Sequence, residues 1–441
     1  LVDRDGRPVW AVSPGALARA IRTLGRSIQQ LRLPEGIGDE HPDDGIRPAG
    51  LMNSLHVIPG IWSPITGYDG LLNFLRGQRF HLVEADPIHA GVVPNLIPFA
   101  YDWRLSNRHN ARLLARTARE ALEGWRAQPG MEEAKLVLIC HSMGGLIARW
   151  FAEQEGGAEL IRSIITIGTP HRGSVNALVN LVNGLDAGLG PLQISLTEFA
   201  RSLPSLYQLL PQYNCLDTGQ GRAGLDQIDC PGLDRTRLRD AMAFHRGIEG
   251  NGAPRYALYK VAGIRQPTPT TVRLDRGALI PSNEIDGHDQ GGDGTVPRLA
   301  AEPIAGRGVE VHEIADQHGV LQETRSLLDL VDGILARREI VWRAVPAETF
   351  GIEMKDVWTT GEAVRLRVAD SQDQRLLATL EDEQGVVVAH GVPVAPDGTI
   401  ALGPLPEGGY RAMVRGAGPG GPKVVTKPFL VMDPPNTHVD L

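Results

Sequence analysis

Between Leu136 and Phe151 an apolar, β-type run meets a short polar turn and then a helical pattern, with Ser142 at the apex. The string Cys140-His141-Ser142-Met143-Gly144 is a variant of the G-x-S-x-G turn that lifts a serine hydroxyl above a sheet. Cys140 replaces the first glycine with another small residue. Gly144, followed by Gly145, lets the helix approach the strand closely. The backbone N–H of Met143 then lies at a helix N-terminus, where negative charge is stabilised. The chemistry on offer is nucleophilic: a serine that attacks a carbonyl carbon and holds the acyl group. The plain alternative is a Ser-Gly turn before an ordinary helix.

Such a serine needs a base, an acid that orients the base, and a second oxyanion donor. In strand–turn–helix sites of this type the chain order is Ser, Asp/Glu, His. Gly291-Gly292-Asp293-Gly294 wraps one carboxylate in glycines, and Asp286 and Asp289 are its rivals. Asp286, His288 and Asp293 also raise the question of a calcium loop. Their spacing does not follow D-x-[DN]-x-[DN]-G, and the closing glutamate is missing. No metal ion and no cofactor are therefore expected. Residues 309–314 alternate like a strand, 315–319 break the pattern, and 320–336 have helical periodicity. His318 thus falls just past a strand end, where a base belongs. His312, within the strand, reads as structural, and His141 and His171 read as turn histidines bonded to backbone. The apolar run 55–62 contains Pro59-Gly60, and the N–H of Ile61 would join that of Met143 as the second oxyanion donor.

These positions need a scaffold. Strand and helix patterns alternate from Leu55 to Ser174, which predicts a parallel sheet with crossover helices, one of them over 108–125. Ahead of it, Val9 and Trp10 read as a short strand, 14–31 as an amphipathic helix and 34–48 as a loop. Residues 175–255 are rich in Leu, Gly and Pro with irregular spacing, and read as a cap or lid. Ordinary helices covering the sheet are the alternative. Cys215 and Cys230 bracket a polar loop there; a disulfide between them could contribute up to about 3 kcal/mol. Cys140 should be buried under the serine turn. After Arg337, short strand-like segments at 362–368, 376–381, 385–389, 399–402, 410–414 and 424–431 are separated by glycine-rich turns. They predict a small antiparallel β-sandwich, immunoglobulin-like, serving for binding, docking or spacing. The expected architecture is an α/β-hydrolase unit over 1–340 with its cap or lid near 175–255. A linker at 341–350 and an all-β sandwich over 351–441 follow.

Six stretches carry a family resemblance: Ile58-Pro59-Gly60, Phe99-Ala100-Tyr101-Asp102-Trp103-Arg104, residues 141–145, residues 167–174, residues 292–297, and His318. Through them, roughly the first 340 residues resemble the lecithin:cholesterol acyltransferase family. That family includes lysosomal phospholipase, plant phospholipid:diacylglycerol acyltransferases and bacterial relatives. The Tyr101-Asp102-Trp103-Arg104 string is the most specific. The resemblance implies Ser142, Asp293 and His318 as a triad, and a pocket that takes acyl chains from lipid esters. The cysteine pair that extracellular members carry in the loop after the oxyanion strand is absent here. Asp102 and Arg104 follow the apolar segment Leu96 to Ala100. On an extended strand they would share a face and could pair, holding the pocket wall or the lid.

The 441 residues, 42% of them hydrophobic, are enough for two or three domains with a large core. A net charge of −8 argues against a nucleic-acid partner, whose binding face would be basic. No apolar run approaches the length of a membrane span. Three cysteines make no dense disulfide framework. Because the chain opens on Leu1, it reads as an excised piece, with an upstream domain or protein partner outside it. A cytoplasmic or peripheral-membrane location is favoured over secretion. The sequence as a whole points to a serine acyl hydrolase, with transferase activity where an alcohol replaces water. Its partner would be a lipid ester at a membrane or micelle surface. The competing readings are a catalytically silent lipid-binding scaffold and a small-ester carboxylesterase.

Overall fold

A computed structural model describes residues 1–7, 9, 31–52, 56–57, 64–77, 80–84, 91–184, 197–249, 255–303, 311–338, 350–369, 375–418 and 424–433. Four strands form a parallel sheet in the order Val311–Ile314, Ala257–Gly263, Ile161–Ile167, Leu136–His141. Ile161–Ile167 is buried on both faces, which is why Ile164 and Ile165 are adjacent apolar residues instead of an apolar-polar alternation. Helices Asn107–Arg126 and Gly144–Gln154 cover one face through Ala111, Ala115, Ile147, Ala148 and Phe151. Helices Asp69–Arg76 and Arg325–Leu335 cover the other through Leu71, Leu75, Leu327 and Val331. Among the described residues no helix is long and apolar enough to cross a membrane.

Some expectations change. Leu96 to Ala100 form no strand. Pro98 within this stretch, and Pro94 just before it, have no N–H to donate to a ladder, so it runs irregularly. Val9 lies in a bend; Trp10 and residues 14–30 lie outside the described residues, as does most of the oxyanion run 55–62. The helix expected over 320–336 is two pieces, a 3-10 turn His318–Glu323 and the helix Arg325–Leu335. Thr324 divides them, its hydroxyl accepting the Leu327 N–H at 3.3 Å as an N-cap.

Between Ile161–Ile167 and Ala257–Gly263 the chain leaves the sheet. Helices Val175–Asn183, Thr197–Ser202, Pro204–Tyr207 and Arg235–Glu249 pack together through Leu178, Leu181, Phe199, Leu206 and Phe244. A small sheet joins them, ordered Arg222–Ala223, Leu216–Asp217, Thr271–Asp275, Ala278–Ser282. Its last two strands follow Ala257–Gly263 and so lie beyond the 175–255 expected for a cap. Asn183 ties the two stretches: its amide nitrogen donates to the Leu279 carbonyl at 2.8 Å, and its oxygen accepts the Leu279 N–H at 2.7 Å. Cys215 and Cys230 are free thiols, not a disulfide, and both are buried among these apolar residues. Burial pushes both thiol pKa values up, away from the reactive thiolate.

The C-terminal strands form two sheets around one core of Phe350, Trp358, Val364, Leu380, Tyr410 and Phe429. One sheet is ordered Gly351–Glu353, Ala363–Ala369, Thr399–Pro404; the other is Val357–Thr359, Val425–Met432, Gly408–Gly416, Leu376–Asp382, Val387–Pro393. The pair Val357–Thr359 and Val425–Met432 is parallel, a departure from the all-antiparallel expectation. Strand Val425–Met432 is buried on both faces: Phe429 and Val431 enter this core, while Leu430 and Met432 enter the large cluster formed by the helices between Val175 and Glu249 and the early loop.

Asp102 and Arg104 do pair, in a turn instead of on a strand. Arg104 Nε donates to Asp102 Oδ1 and Oδ2 at 3.0 and 3.1 Å, and Nη2 donates to Oδ2 at 2.6 Å. Nη1 reaches Asp44 Oδ2 at 2.8 Å and the Leu31 carbonyl at 3.3 Å. The Ser205 hydroxyl, in the helix Pro204–Tyr207, donates to the Arg104 carbonyl at 3.2 Å. One fully buried guanidinium therefore joins the early loop to the turn, and the backbone of the same residue ties the turn to Pro204–Tyr207. Arg104→Ala strands the Asp102 carboxylate in the core and should cost about 3–5 kcal/mol. A urea unfolding midpoint equal to that of the parent would contradict this role.

Candidate active site

Every described element of the site lies at the carboxyl end of a parallel strand, where open α/β sheets place ligands. Ser142 follows the strand Leu136–His141 directly. Its φ is 52°, in the left-handed region that side-chain-bearing residues avoid. Three contacts hold it there. The Ser142 N–H donates to the Ile167 carbonyl at 2.8 Å, the Gly145 N–H donates to the Ser142 carbonyl at 3.1 Å, and the Thr169 hydroxyl donates to the same carbonyl at 2.9 Å. A Cβ on Gly145 would meet Thr169 Oγ1 at 2.1 Å, whereas one on Gly144 would meet nothing closer than 3.9 Å. The close approach expected of Gly144 thus falls on Gly145. Met143 precedes the helix Gly144–Gln154, so its N–H belongs to the first turn, whose amides lack intrahelical acceptors.

His318 opens the 3-10 turn after strand Val311–Ile314, and its Nε2 is 2.9 Å from Ser142 Oγ. Its Nδ1 is 2.7 Å from Asp293 Oδ2. A carboxylate accepts, so Nδ1 carries the proton and Nε2 is left to accept from the serine hydroxyl. Asp293 sits past the end of Ala257–Gly263, reached through the bridge between Gln266 and Gly292. A Cβ on Gly263 would be 2.3 Å from the Asp293 Cβ, so only glycine lets the acid turn seat there. The other carboxylate oxygen, Oδ1, accepts the N–H groups of Thr295 and Val296 at 2.9 and 2.7 Å. The His318 N–H donates to the Asp293 carbonyl at 2.7 Å. Asp293 and His318 are each 1% exposed, against 8% for Ser142. The hydroxyl is therefore the part of this relay that a ligand can reach.

The rival residues are elsewhere. Asp286 pairs with Arg222 on the surface at 2.5 Å, and Asp289 accepts the Gly291 N–H at 2.7 Å. His312 is held within its strand. His171 bonds side chains instead of backbone, with Nδ1 3.4 Å from Arg149 Nη1 and Nε2 3.1 Å from Thr166 Oγ1. Gly60 and Ile61 lie outside the described residues.

Around the relay, His141 is bonded to backbone as expected, while its partner Tyr68 had no signal in the sequence. His141 Nε2 donates to the His318 carbonyl at 3.0 Å, and the Tyr68 hydroxyl donates to Nδ1 at 3.1 Å. Burial first, and the His318 ring second, push the His141 pKa down to about 3, against the opposing effect of its bond to the His318 carbonyl. His141 is thus neutral with a fixed tautomer. Cys140 is half-buried instead of sealed under the turn, because its strand borders a cavity of about 1000 Å³. Ser142 opens onto that cavity, whose walls include Leu72, Tyr101, Trp103, Leu203 and Leu206.

Two residues before the base, Asp316 Oδ1 accepts the N–H groups of Gln317 at 2.9 Å and Thr426 at 3.1 Å. Burial raises its pKa to about 7 despite those two donors, and Glu323 adds to the rise. The folded state therefore binds this proton more tightly than the unfolded chain. Its stability contribution is largest below pH 4 and declines as pH climbs toward 7. Asn at this position keeps the acceptor oxygen and carries no charge. Asp316→Asn should match the parent melting temperature near pH 4 and exceed it increasingly up to pH 7. A difference between the two proteins that stays flat from pH 4 to pH 8 would refute the raised pKa.

Residues 78–223, about a third of the chain, match the family model for lecithin:cholesterol acyltransferase. No curated protein matches the sequence. Among solved structures, one of a Tle4-Tli4 complex is 16% identical at a TM-score of 0.40, over 54% of this chain and 67% of that one. The mature lipase BlEst2 of Bacillus licheniformis is 16% identical at 0.31, over 52% and 74%. Phospholipase PlaB of Legionella pneumophila is 11% identical at 0.28, over 74% and 81%. These structural likenesses are remote. The family match falls on the stretch that holds the tyrosine-aspartate-tryptophan-arginine turn and the serine elbow, and over that stretch this chain is similar to the lecithin:cholesterol acyltransferase family.

Proposed function

We propose that the protein is a serine acyl hydrolase of lipid esters, phospholipids among them. The reading includes an α/β-hydrolase unit over about 1–340, a cap over the acyl pocket, a linker near 341–350, and an immunoglobulin-like sandwich from 351. One observation carries it: the chain Ser142 Oγ, His318, Asp293, at 2.9 and 2.7 Å, opening onto a large apolar cavity. The family match over 78–223 supports the lipid class of substrate.

In this mechanism His318 Nε2 takes the proton from Ser142 Oγ as the oxygen attacks the ester carbonyl. The N–H of Met143, with that of Ile61, stabilises the tetrahedral oxyanion. Asp293 holds the Nδ1–H tautomer and offsets the positive charge of the imidazolium. The intermediate collapses, the C–O bond breaks, and the departing alcohol takes the proton from His318. Water then gives its proton to His318 and attacks the acyl-Ser142 carbonyl. The acid leaves as the proton returns to Ser142. An alcohol in place of that water makes the protein a transferase.

Ser142→Ala should leave the fold intact and lower ester turnover by a factor on the order of 10⁶, and His318→Ala should lower it about as much. His312→Ala should cost far less. A fluorophosphonate probe should label the parent and not the Ser142→Ala variant. Turnover surviving in that variant, or the reverse order of the two histidines, would show that the relay is not a triad. A parent protein that neither labels nor hydrolyses esters would favour the silent scaffold.

The cap and cavity walls give an apolar chain more surface to bury than a short acid could use, at roughly 25 cal/mol per Å². Turnover of phospholipid vesicles, read by mass spectrometry of the products, should exceed turnover of a dissolved short-chain ester. Equal or faster cleavage of the dissolved ester would favour a carboxylesterase.

A further inference from the structure

Strand Val425–Met432 and the segment Phe350 to Ile352 do more than abut the main unit. They bond to the two residues that precede His318. The Thr426 N–H donates to Asp316 Oδ1 at 3.1 Å. The Gln317 side-chain nitrogen donates to Gln266 Oε1 at 2.6 Å and faces the Ile352 carbonyl at 3.3 Å. Gln266 Oε1 also accepts the Ile352 N–H at 3.1 Å, while its nitrogen reaches the Phe350 carbonyl at 3.5 Å. Asp316, Gln317 and Gln266 are 8%, 5% and 0% exposed, so water does not compete for these bonds. Gln266 is also the residue bridged to Gly292 and Asp293. One buried polar network thus touches the base turn, the acid turn and the C-terminal sheets together.

We infer that the C-terminal β unit positions the His318 turn, with Asp316 and Gln317 as the positioning residues through which it acts. The inference rests on the reading of Ser142, His318 and Asp293 as a triad. Asp316 and Gln317 lie in no helix or strand and His318 is only the first residue of its 3-10 turn, while a base must be held within a fraction of an ångström of its nucleophile. The neighbouring chain supplies what the turn lacks. On one side the Thr66 N–H donates to the Gly319 carbonyl at 2.9 Å, and His141 holds the His318 carbonyl. On the other, the C-terminal strands fix the peptide entering His318. Neither Asp316 nor Gln317 touches the reacting atoms.

The test measures kcat and KM on a dissolved p-nitrophenyl ester, together with the rate of fluorophosphonate labelling, in five full-length variants. Asp316→Ala removes the acceptor; Asp316→Asn keeps it. Gly351→Ala acts from the C-terminal side, since its Cβ would meet the Arg265 carbonyl at 2.7 Å and push the strand off Gln266. Val387→Ser, on the far edge strand, is the control; Ser142→Ala checks the triad. Asp316→Ala and Gly351→Ala should lower kcat about tenfold with KM within about twofold, and slow labelling in proportion. Asp316→Asn should restore kcat to within about threefold of the parent, and Val387→Ser should match it. If Asp316→Ala does not fold, Gly351→Ala alone decides. Folded variants with parental kcat and labelling overturn the inference, and so does an Asn variant as slow as the Ala variant with an intact melt. Turnover that survives Ser142→Ala is a different failure: it removes the triad reading and this inference with it.

Discussion

The left-handed backbone of Ser142 is the constraint around which the rest is arranged. A residue with a side chain at φ 52° costs about 1–3 kcal/mol and persists only where its surroundings leave it no alternative. Those surroundings are specific. Gly145 must be glycine because Thr169 lies against it, and Thr169 must donate to the Ser142 carbonyl. The parallel sheet then aligns the elbow with the ends of Ile161–Ile167 and Ala257–Gly263, whose following turns carry Gly168 and Asp293. At Gly168, φ is +56°, and a Cβ there would lie 3.1 Å from Asp293 Oδ2 and His318 Nδ1. The strain at the serine is thus matched by glycines that let three turns crowd into one corner.

Neutral groups hold most of this corner. His141, Thr169, Gln266 and Gln317 bond carbonyls and amides, and they add no charge beside the Asp293 carboxylate. That arrangement suits a relay in which one proton moves and a positive imidazolium must find a single counter-charge. The charged groups Arg104, Asp102 and Asp44 stand instead where the turn at 102–104 meets the early loop.

The sequence was legible where function is local. Ser142, Asp293 and His318 could each be found from a few neighbours: a small-residue turn, a glycine-rich turn, a break after an alternating strand. The parallel sheet and the helix near 108–125 followed from periodicity. What escaped depends on contacts between distant parts of the chain. Nothing near Asp316 announces Thr426, and nothing near Asn183 announces Leu279, so neither the seat of the His318 turn nor the tie between Val175–Asn183 and Ala278–Ser282 could be read. Leu96 to Ala100 misled because apolar content outweighed two prolines. The run 424–431 looked like one more sandwich strand. Its unbroken apolar character from Phe429 to Met432 was the signal that it is buried on both sides.

That doubly buried strand bears on the order in which the molecule is made. A ribosome releases the serine elbow early, the base turn later, and Val425–Met432 after both. Domains tend to fold as they emerge, amino-terminal parts first. Here the nucleophile and its sheet can form while the turn carrying His318 still lacks the strand that packs against it. A nascent chain that has not yet released this strand therefore holds Ser142 and its sheet with the His318 turn unsecured. Val425–Met432 thus completes the seat of that turn as well as its own sheet, so the site is fully assembled only after this strand has emerged.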